Sequence, residues 1–196
     1  GVGYSNKAGL SRTFMPTDGS VLGFVQSLPI YADKPFIDNT FRFSTYHEFN
    51  ENYVGSGKIF LSAINGLNDE DVRLSKRKTL STRRLRGFSK GKIGPVDGND
   101  HIGGNYAAAV NFDVNLPNLL PDSSNTDVSF FVDFGNVWEV DYDDSLDDSN
   151  KLRSSTGINA SWISPLGPMT FTLATNLSKA STDTTESFNF NLGTSF

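Results

Sequence analysis

Alternation at a period of two residues constrains this chain more than any other feature. It is cleanest at 187–196. There Phe188, Phe190, Leu192 and Phe196 are large and apolar, while Ser187, Asn189, Asn191, Gly193 and Ser195 are small or polar. Successive side chains of a strand point to opposite faces, so such a segment has one greasy face and one wet face. The pattern recurs upstream. Val110, Phe112, Val114 and Leu116 alternate with Asn111, Asp113 and Asn115, and Val128, Phe130, Val132 and Phe134 alternate with Ser129, Phe131, Asp133 and Gly135. Ile158, Ala160 and Trp162 alternate with Gly157, Asn159 and Ser161, and Met169, Phe171 and Leu173 with Thr170, Thr172 and Ala174. Ile37, Phe41 and Phe43 do the same with Asp38, Thr40, Arg42 and Ser44. Residues 20–29 and 56–65 read as strands of weaker alternation. The pattern predicts eight strands after a partial one at 1–6, and no stretch of ten residues reads as a helix.

Alternation fits a soluble β-sandwich as well as a membrane barrel, and two features favour the barrel. The wet faces are built from Asn, Ser, Thr and Gly, as in a water-filled lumen, with few of the Lys and Glu residues of a soluble surface. The greasy faces carry aromatics near strand ends, among them Trp138, Trp162 and Phe196, as an interfacial girdle does. Connection lengths also alternate. The breaks near Glu51-Asn52, at 117–126 and at Ser164-Pro165-Leu166-Gly167-Pro168 are short or Pro-rich, whereas 67–103 and 140–151 are long and charged. Short turns at one end and long loops at the other characterise outer-membrane barrels. The expected fold is all-β, a transmembrane antiparallel up-and-down barrel.

Composition narrows the function. No run approaches the roughly 18 apolar residues of a membrane helix. A net charge of -5 argues against nucleic acid as a partner. Cysteine is absent, and the two histidines, His47 and His101, stand in no recognisable triad motif. The carboxylates of 139–148 lack calcium-loop spacing. No enzymatic chemistry, metal or cofactor is expected. The N-terminal Gly1-Val2-Gly3-Tyr4 reads as strand without a signal-peptide pattern, so the chain is expected to begin inside a domain.

A series of ordered motifs adds to this. Leu85-Arg86-Gly87-Phe88 is followed by Ile93-Gly94-Pro95, and Gly103-Gly104-Asn105 opens the next strand. Further on come Ser129-Phe130-Phe131-Val132-Asp133-Phe134-Gly135-Asn136-Val137-Trp138, then Trp162-Ile163-Ser164-Pro165-Leu166-Gly167-Pro168, and a C-terminal Phe. The series, from Pro16-Thr17-Asp18-Gly19 to Phe196, resembles the BamA family of the bacterial surface antigen superfamily, the barrel subunits of the outer-membrane β-barrel assembly machine. The resemblance implies a bacterial outer-membrane location. It also implies that residues 1–196 are the C-terminal half of a 16-stranded barrel, with the first half and the periplasmic POTRA domains lying before Gly1. An open sheet in lipid would leave two edges of unpaired backbone groups, each costing about several kcal/mol, so such a half is expected to close with another.

The segment 67–103 is far longer than an ordinary hairpin loop. The stretch from 67 to Arg86 can extend about 60 Å at roughly 3.3 Å per residue, against an apolar band about 25 Å tall, so the loop can fold into the lumen and return. Arg86 would then need a counter-charge. Alternation places Asp113 and Asp133 on the polar face of adjacent strands, and Phe131 shares that face. A guanidinium can pair with carboxylates and stack on a ring. The resemblance implies the same engagement of Arg86 with Asp113, Phe131 and Asp133, whereas carboxylates merely solvated by lumen water are the plainer alternative. Gly87, Gly91 and Gly94 permit positive φ around the tip, and Pro95 stiffens the return.

Nine of the 17 Lys and Arg residues lie between Arg73 and Lys92. Such a loop can meet lipopolysaccharide phosphates, or the acidic run Glu139, Asp141, Asp143, Asp144, Asp147 and Asp148, or remain solvated. At the C-terminus, Phe188, Phe190, Leu192 and Phe196 resemble the recognition signal of outer-membrane clients. Gly193 is expected to weaken pairing at a seam with the first strand of the barrel, where an incoming strand could be templated. The expected role is therefore an assembly factor that folds and inserts β-barrel proteins. Its expected partners are unfolded clients, accessory lipoproteins, outer-membrane lipid and lipopolysaccharide. A polypeptide-secretion transporter of the same barrel family and a passive porin are the alternatives.

Overall fold

The structure, a computed structural model, describes residues 1–10, 16–29, 33–165 and 167–193. In chain order its strands are β1 Val2–Ser5, β2 Ala8–Leu10, β3 Pro16–Ser27, β4 Phe36–Asn50, β5 Tyr53–Gly66, β6 Val96–Asp97, β7 Asp100–His101, β8 Tyr106–Leu116, β9 Thr126–Trp138, β10 Arg153–Ser164, β11 Gly167–Ser178 and β12 Phe188–Leu192. Helical structure among the described residues amounts to single 3-10 turns at Leu74–Lys76, Asp122–Ser124 and Asp144–Leu146. No helix is long and apolar enough to cross a membrane, which has no bearing on crossing by strands.

One antiparallel sheet runs β1-β3-β4-β5-β8-β9-β10-β11-β12, with β2 also on β3. Seven long strands, the five-residue β12 and a short leading strand are the eight strands and the partial one that alternation predicts, arranged up and down as a partial barrel whose sheet is not closed. The connections at 51–52, 117–125 and 165–166 emerge at one end. Those at 67–105, 139–152 and 179–187 emerge at the other, where β3 ends and β4 begins.

Burial runs opposite to that of a soluble protein. On β8, Asn111 is 6% exposed while neighbouring Phe112 is 54% exposed. Asn115, Ser129, Asn159 and Thr172 are likewise buried, while Phe130, Ile158, Leu173 and Phe190 face outward. Between the layers of a β-sandwich the phenylalanines would be inside and the asparagines outside. A wall with polar groups within and apolar groups without has its lowest free energy in lipid. Trp138 lies at the long-loop end of β9 and Trp162 at the short-turn end of β10. Their ladder partners Tyr106 and Met169 share the outward face.

Two boundaries differ from expectation. β8 begins just after Gly103-Gly104-Asn105, because Gly104 is drawn to Lys78 of the long loop, while Asn105 stays in register with the neighbouring strands and its carbonyl accepts from the Ile64 amide at 2.8 Å. Gly104 exchanges both backbone hydrogen bonds with Lys78 (2.7 and 3.0 Å), and the amide of Asn105 donates to the Glu139 carbonyl (2.7 Å). Gly193 lies one residue beyond β12 rather than inside it, with φ +110°, and its amide still donates to the Pro168 carbonyl at 2.7 Å.

Candidate functional site

The inner wall has two tiers. Near the short turns the inward positions of β8 and β9 are Asn115, Asp113, Asn111 and Ser129. Towards the long loops they become Ala109, Ala107, Gly135 and Val137. The loop 67–105 folds against this wall, and its Leu80, Leu85, Phe88 and Ile93 form one buried apolar cluster with Ala107, Ala109 and Val137. Removing these large side chains from water favours the folded-in loop by about 1.5–3 kcal/mol each as an upper figure. Small wall residues make room: a Cβ on Gly135 would lie 2.9 Å from a Leu80 methyl.

Arg86 sits at the boundary of the tiers. Its backbone amide donates to Asp133 Oδ2 (3.0 Å), its Nε to the same oxygen (2.7 Å) and its Nη2 to Asp133 Oδ1 (2.5 Å). Nη1 donates to Asp113 Oδ1 (2.6 Å), and the guanidinium carbon lies 3.7 Å from the centre of the Phe131 ring. The three wall residues come together because β8 and β9 pair Asp113 with Phe131 and Asn111 with Asp133. Asp133 is 0% exposed, and the Arg86 side chain is 10% exposed. A carboxylate so buried is tolerable only when paired and hydrogen-bonded. Lys58, 3.8 Å from Asp113 Oδ2, adds a second, looser cation.

Several partners of this pin lie outside the motif. Asn111 Nδ2 donates to Asp133 Oδ1 (2.7 Å) and to the Arg84 carbonyl (2.9 Å), and Ser155 Oγ donates to the Arg86 carbonyl (2.5 Å). Strand parity already puts Asn111 and Ser155 beside Asp133 on the polar face. Gly87 has φ +86° and is wedged so that a Cβ would meet Ala174, Asn176 and Ser155 at 3.2–3.3 Å. Its carbonyl accepts from Asn176 Nδ2 (2.9 Å) and from the Glu186 amide (3.0 Å). Phe88 and Ile93 are buried beside it, Gly94 at φ +91° abuts Val137, and the Pro95 carbonyl accepts from the Ile102 amide. Below Arg86 lies a polar cavity of about 80 Å³, lined in part by Lys58, Asn111, Asp113, Asn159 and Thr172.

The basic loop meets the acidic run at one place. Arg77 Nη2 donates to Asp141 Oδ1 (2.5 Å), Asp141 Oδ2 accepts from the Val72 amide (2.6 Å), and Tyr142 lies over the Arg77 guanidinium. Partial burial works against the Asp141 carboxylate, but the Val72 amide, Asn105 and Arg77 outweigh it and hold its pKa below the usual carboxylate value. Lys78 pairs with Asp38 and Arg73 with Asp33 instead. Asp143 and Asp147 bond within their own loop, to Ser145 and Ser149. Asp148 reaches Arg153, a residue the sequence reading missed.

At the other end of the chain, Phe188, Phe190 and Leu192 form the outward face of β12, and Phe171 stacks on Phe190 at 5.1 Å. β12 spans five residues beside the twelve of β11, and its free edge has no strand partner among the described residues. Phe196 and Leu166 lie outside the described residues.

Comparison with known proteins accords with this arrangement. Residues 4–196 match the Omp85 superfamily domain. The chain is 32% identical over 141 residues to the outer membrane protein assembly factor BamA of Neisseria meningitidis serogroup B, covering 57% of this chain and 17% of that protein. It is 28% identical over 192 residues to BamA of Neorickettsia risticii, covering 95% of this chain and 26% of that protein. The crystal structure of BamA from Haemophilus ducreyi lacking POTRA domains 1-3 superposes with a TM-score of 0.82 at 27% identity, over 96% of this chain and 40% of that one. The chain thus spans about a quarter or less of the length of these curated relatives. With an inverted wall of antiparallel strands and a match over nearly all its length, the chain belongs to the Omp85 superfamily.

Proposed function

We propose that this chain is the C-terminal half of a 16-stranded outer-membrane barrel that folds and inserts other β-barrel proteins. The first half and periplasmic POTRA domains would come from sequence preceding it. In this reading Arg86 seats the long loop in the lumen through Asp133, Asp113 and Phe131, and β12 forms one side of a labile seam where an incoming client strand pairs by augmentation. The function is non-enzymatic: strand exchange needs backbone donors and acceptors, not a nucleophile. Unfolded clients, accessory lipoproteins and outer-membrane lipid are the partners it implies. The observation that carries the reading is the multiply bonded Arg86 in a family whose matched relatives are assembly factors. A porin has no need of a buried cation bonded twice to one wall carboxylate.

The test is a charge reversal in the native-length protein. Arg86→Ala and Asp133→Arg each reduce the amount of folded client barrel in the outer membrane, and combining Asp133→Arg with Arg86→Asp partly restores it. Normal client levels with Arg86→Ala defeat the reading.

A further inference from the structure

A second buried guanidinium lies at the long-loop end of the wall. Arg153, the first residue of β10, is 0% exposed. Its Nε donates to Asp183 Oδ2 (3.0 Å), Nη2 to Asp183 Oδ1 (2.8 Å) and Nη1 to Asn136 Oδ1 (2.5 Å), and Nη2 also bonds Asp148. Asp183, whose side chain is fully buried, accepts from the Ala180 amide as well (2.6 Å). The residues that follow Asp183 are laced to the tip of the Arg86 loop. The Ser89 amide donates to the Thr184 carbonyl, the Thr184 amide to the Lys92 carbonyl and the Glu186 amide to the Gly87 carbonyl, each at 3.0 Å. Two residues after Glu186, β12 begins.

We propose that Arg153 and Asp183 are positioning residues that clamp the lead-in of β12 to the tip of the Arg86 loop, so that the hold of β12 on the sheet depends on the loop being seated. This rests on the reading that Arg86 seats the loop and that β12 flanks the seam. The physical argument is one of leverage. β12 has a single neighbour and five residues of ladder, so the bonds at 184–186 are a large share of what fixes its upper end. Those bonds tie it to Gly87, Ser89 and Lys92, and Gly87 adjoins Arg86. Unseating the loop therefore removes support from the terminal strand, while β11 loses only the Asn176–Gly87 bond and keeps its ladder with β10.

Hydrogen exchange on the native-length protein in lipid or detergent tests this. Asp183→Asn preserves shape but removes the charge-assisted pair. It is expected to speed exchange of the 188–192 amides and of 87–92 by at least about tenfold, leaving the amides of β4 and β5 unchanged. Arg86→Ala is expected to speed exchange at 184–186 in return, as coupling requires. Phe88 and Thr185 form an antiparallel bridge whose flanking amides bond outward, the close-pair geometry that suits a disulfide. The chain contains no other cysteine, so Phe88→Cys with Thr185→Cys gives one lock. Its oxidised form should restore slow exchange of β12 in the Asp183→Asn background. In the otherwise unaltered chain it should slow β12 relative to the reduced form, which covers the case of Asp183→Asn failing to fold. Unchanged β12 exchange in Asp183→Asn, or a lock that does not slow β12, overturns the clamp. Neither result bears on the seating of Arg86, which client levels with Arg86→Ala report separately.

Discussion

Two carboxylates hold Arg86, and they are not equivalent. Asp133 receives three bonds from Arg86 and one from Asn111 at zero exposure, whereas Asp113 receives one from Arg86 and faces Lys58 at 3.8 Å. Neutralising Asp133 with Asp133→Asn leaves the guanidinium buried with one carboxylate and turns one of the two acceptor oxygens that face Arg86 into a donor NH2 group. Breaking a buried pair in this way costs about 3–5 kcal/mol. Asp113→Asn removes one charge-assisted bond, worth about 1.5–3 kcal/mol, and with it the looser attraction of Lys58 at 3.8 Å, which adds little. The loop is therefore expected to leave the lumen more often in Asp133→Asn than in Asp113→Asn, by about one order of magnitude at mid-range if the two costs translate directly into populations. Limited proteolysis of the native-length protein in detergent reads this as cleavage within 73–92, since protease attack follows the population of the open form. Heat-modified gel mobility checks that the barrel itself stays folded. Equal cleavage in the two variants, or faster cleavage in Asp113→Asn, refutes the assignment of Asp133 as the principal anchor.

Gly87→Ala should also loosen the loop. A non-glycine residue at φ +86° costs about 1–2 kcal/mol, and the added methyl presses on Ala174, Asn176 and Ser155; the same proteolysis should show intermediate cleavage, and wild-type resistance would count against the wedge. Acid should release the Arg77–Asp141 tie. Asp141 has a folded-state pKa below its ordinary value of 3.8, so its contribution is full above that value and is lost as pH falls through the folded pKa. The protection of the Val72 amide, which donates to Asp141, measured against the intrinsic exchange rate at the same pH, should fall as pH drops from 6 through the folded pKa of Asp141. Arg77→Met should raise the pH at which this begins.

The legibility of this chain followed the range of the interactions. Strand faces were readable because alternation is local, and the same parity placed Asp113, Phe131 and Asp133 on one wall. The bonding partners of Arg86 were half readable: Asn111 and Ser155 share the polar parity of Asp133, yet nothing in sequence marks them from the many other Asn and Ser residues. The apolar upper tier was hidden, because Ala107, Ala109 and Val137 read as ordinary strand residues until Leu80, Leu85, Phe88 and Ile93 are seen against them. Arg153 was hidden for a different reason. Its partner Asp183 lies in another loop, and its local acidic neighbours stood as candidate partners of the basic loop instead. Strand ends were misjudged at Gly103 and Gly193, where tertiary hydrogen bonds decide the outcome rather than propensity.

The two-tier lumen bears on leakage along this wall. A hydrated ion entering from the short-turn end would find amides, hydroxyls and carboxylates ready to replace its waters, and it could linger in the small basin beneath the guanidinium. To go further it would have to shed those waters before a stopper of leucine, isoleucine and phenylalanine that offers nothing in exchange. While the stopper stays seated, this side of the molecule acts as a gasket, and a mutation that unseats it should raise the electrical leak of a membrane in step with the disturbance to the terminal strand.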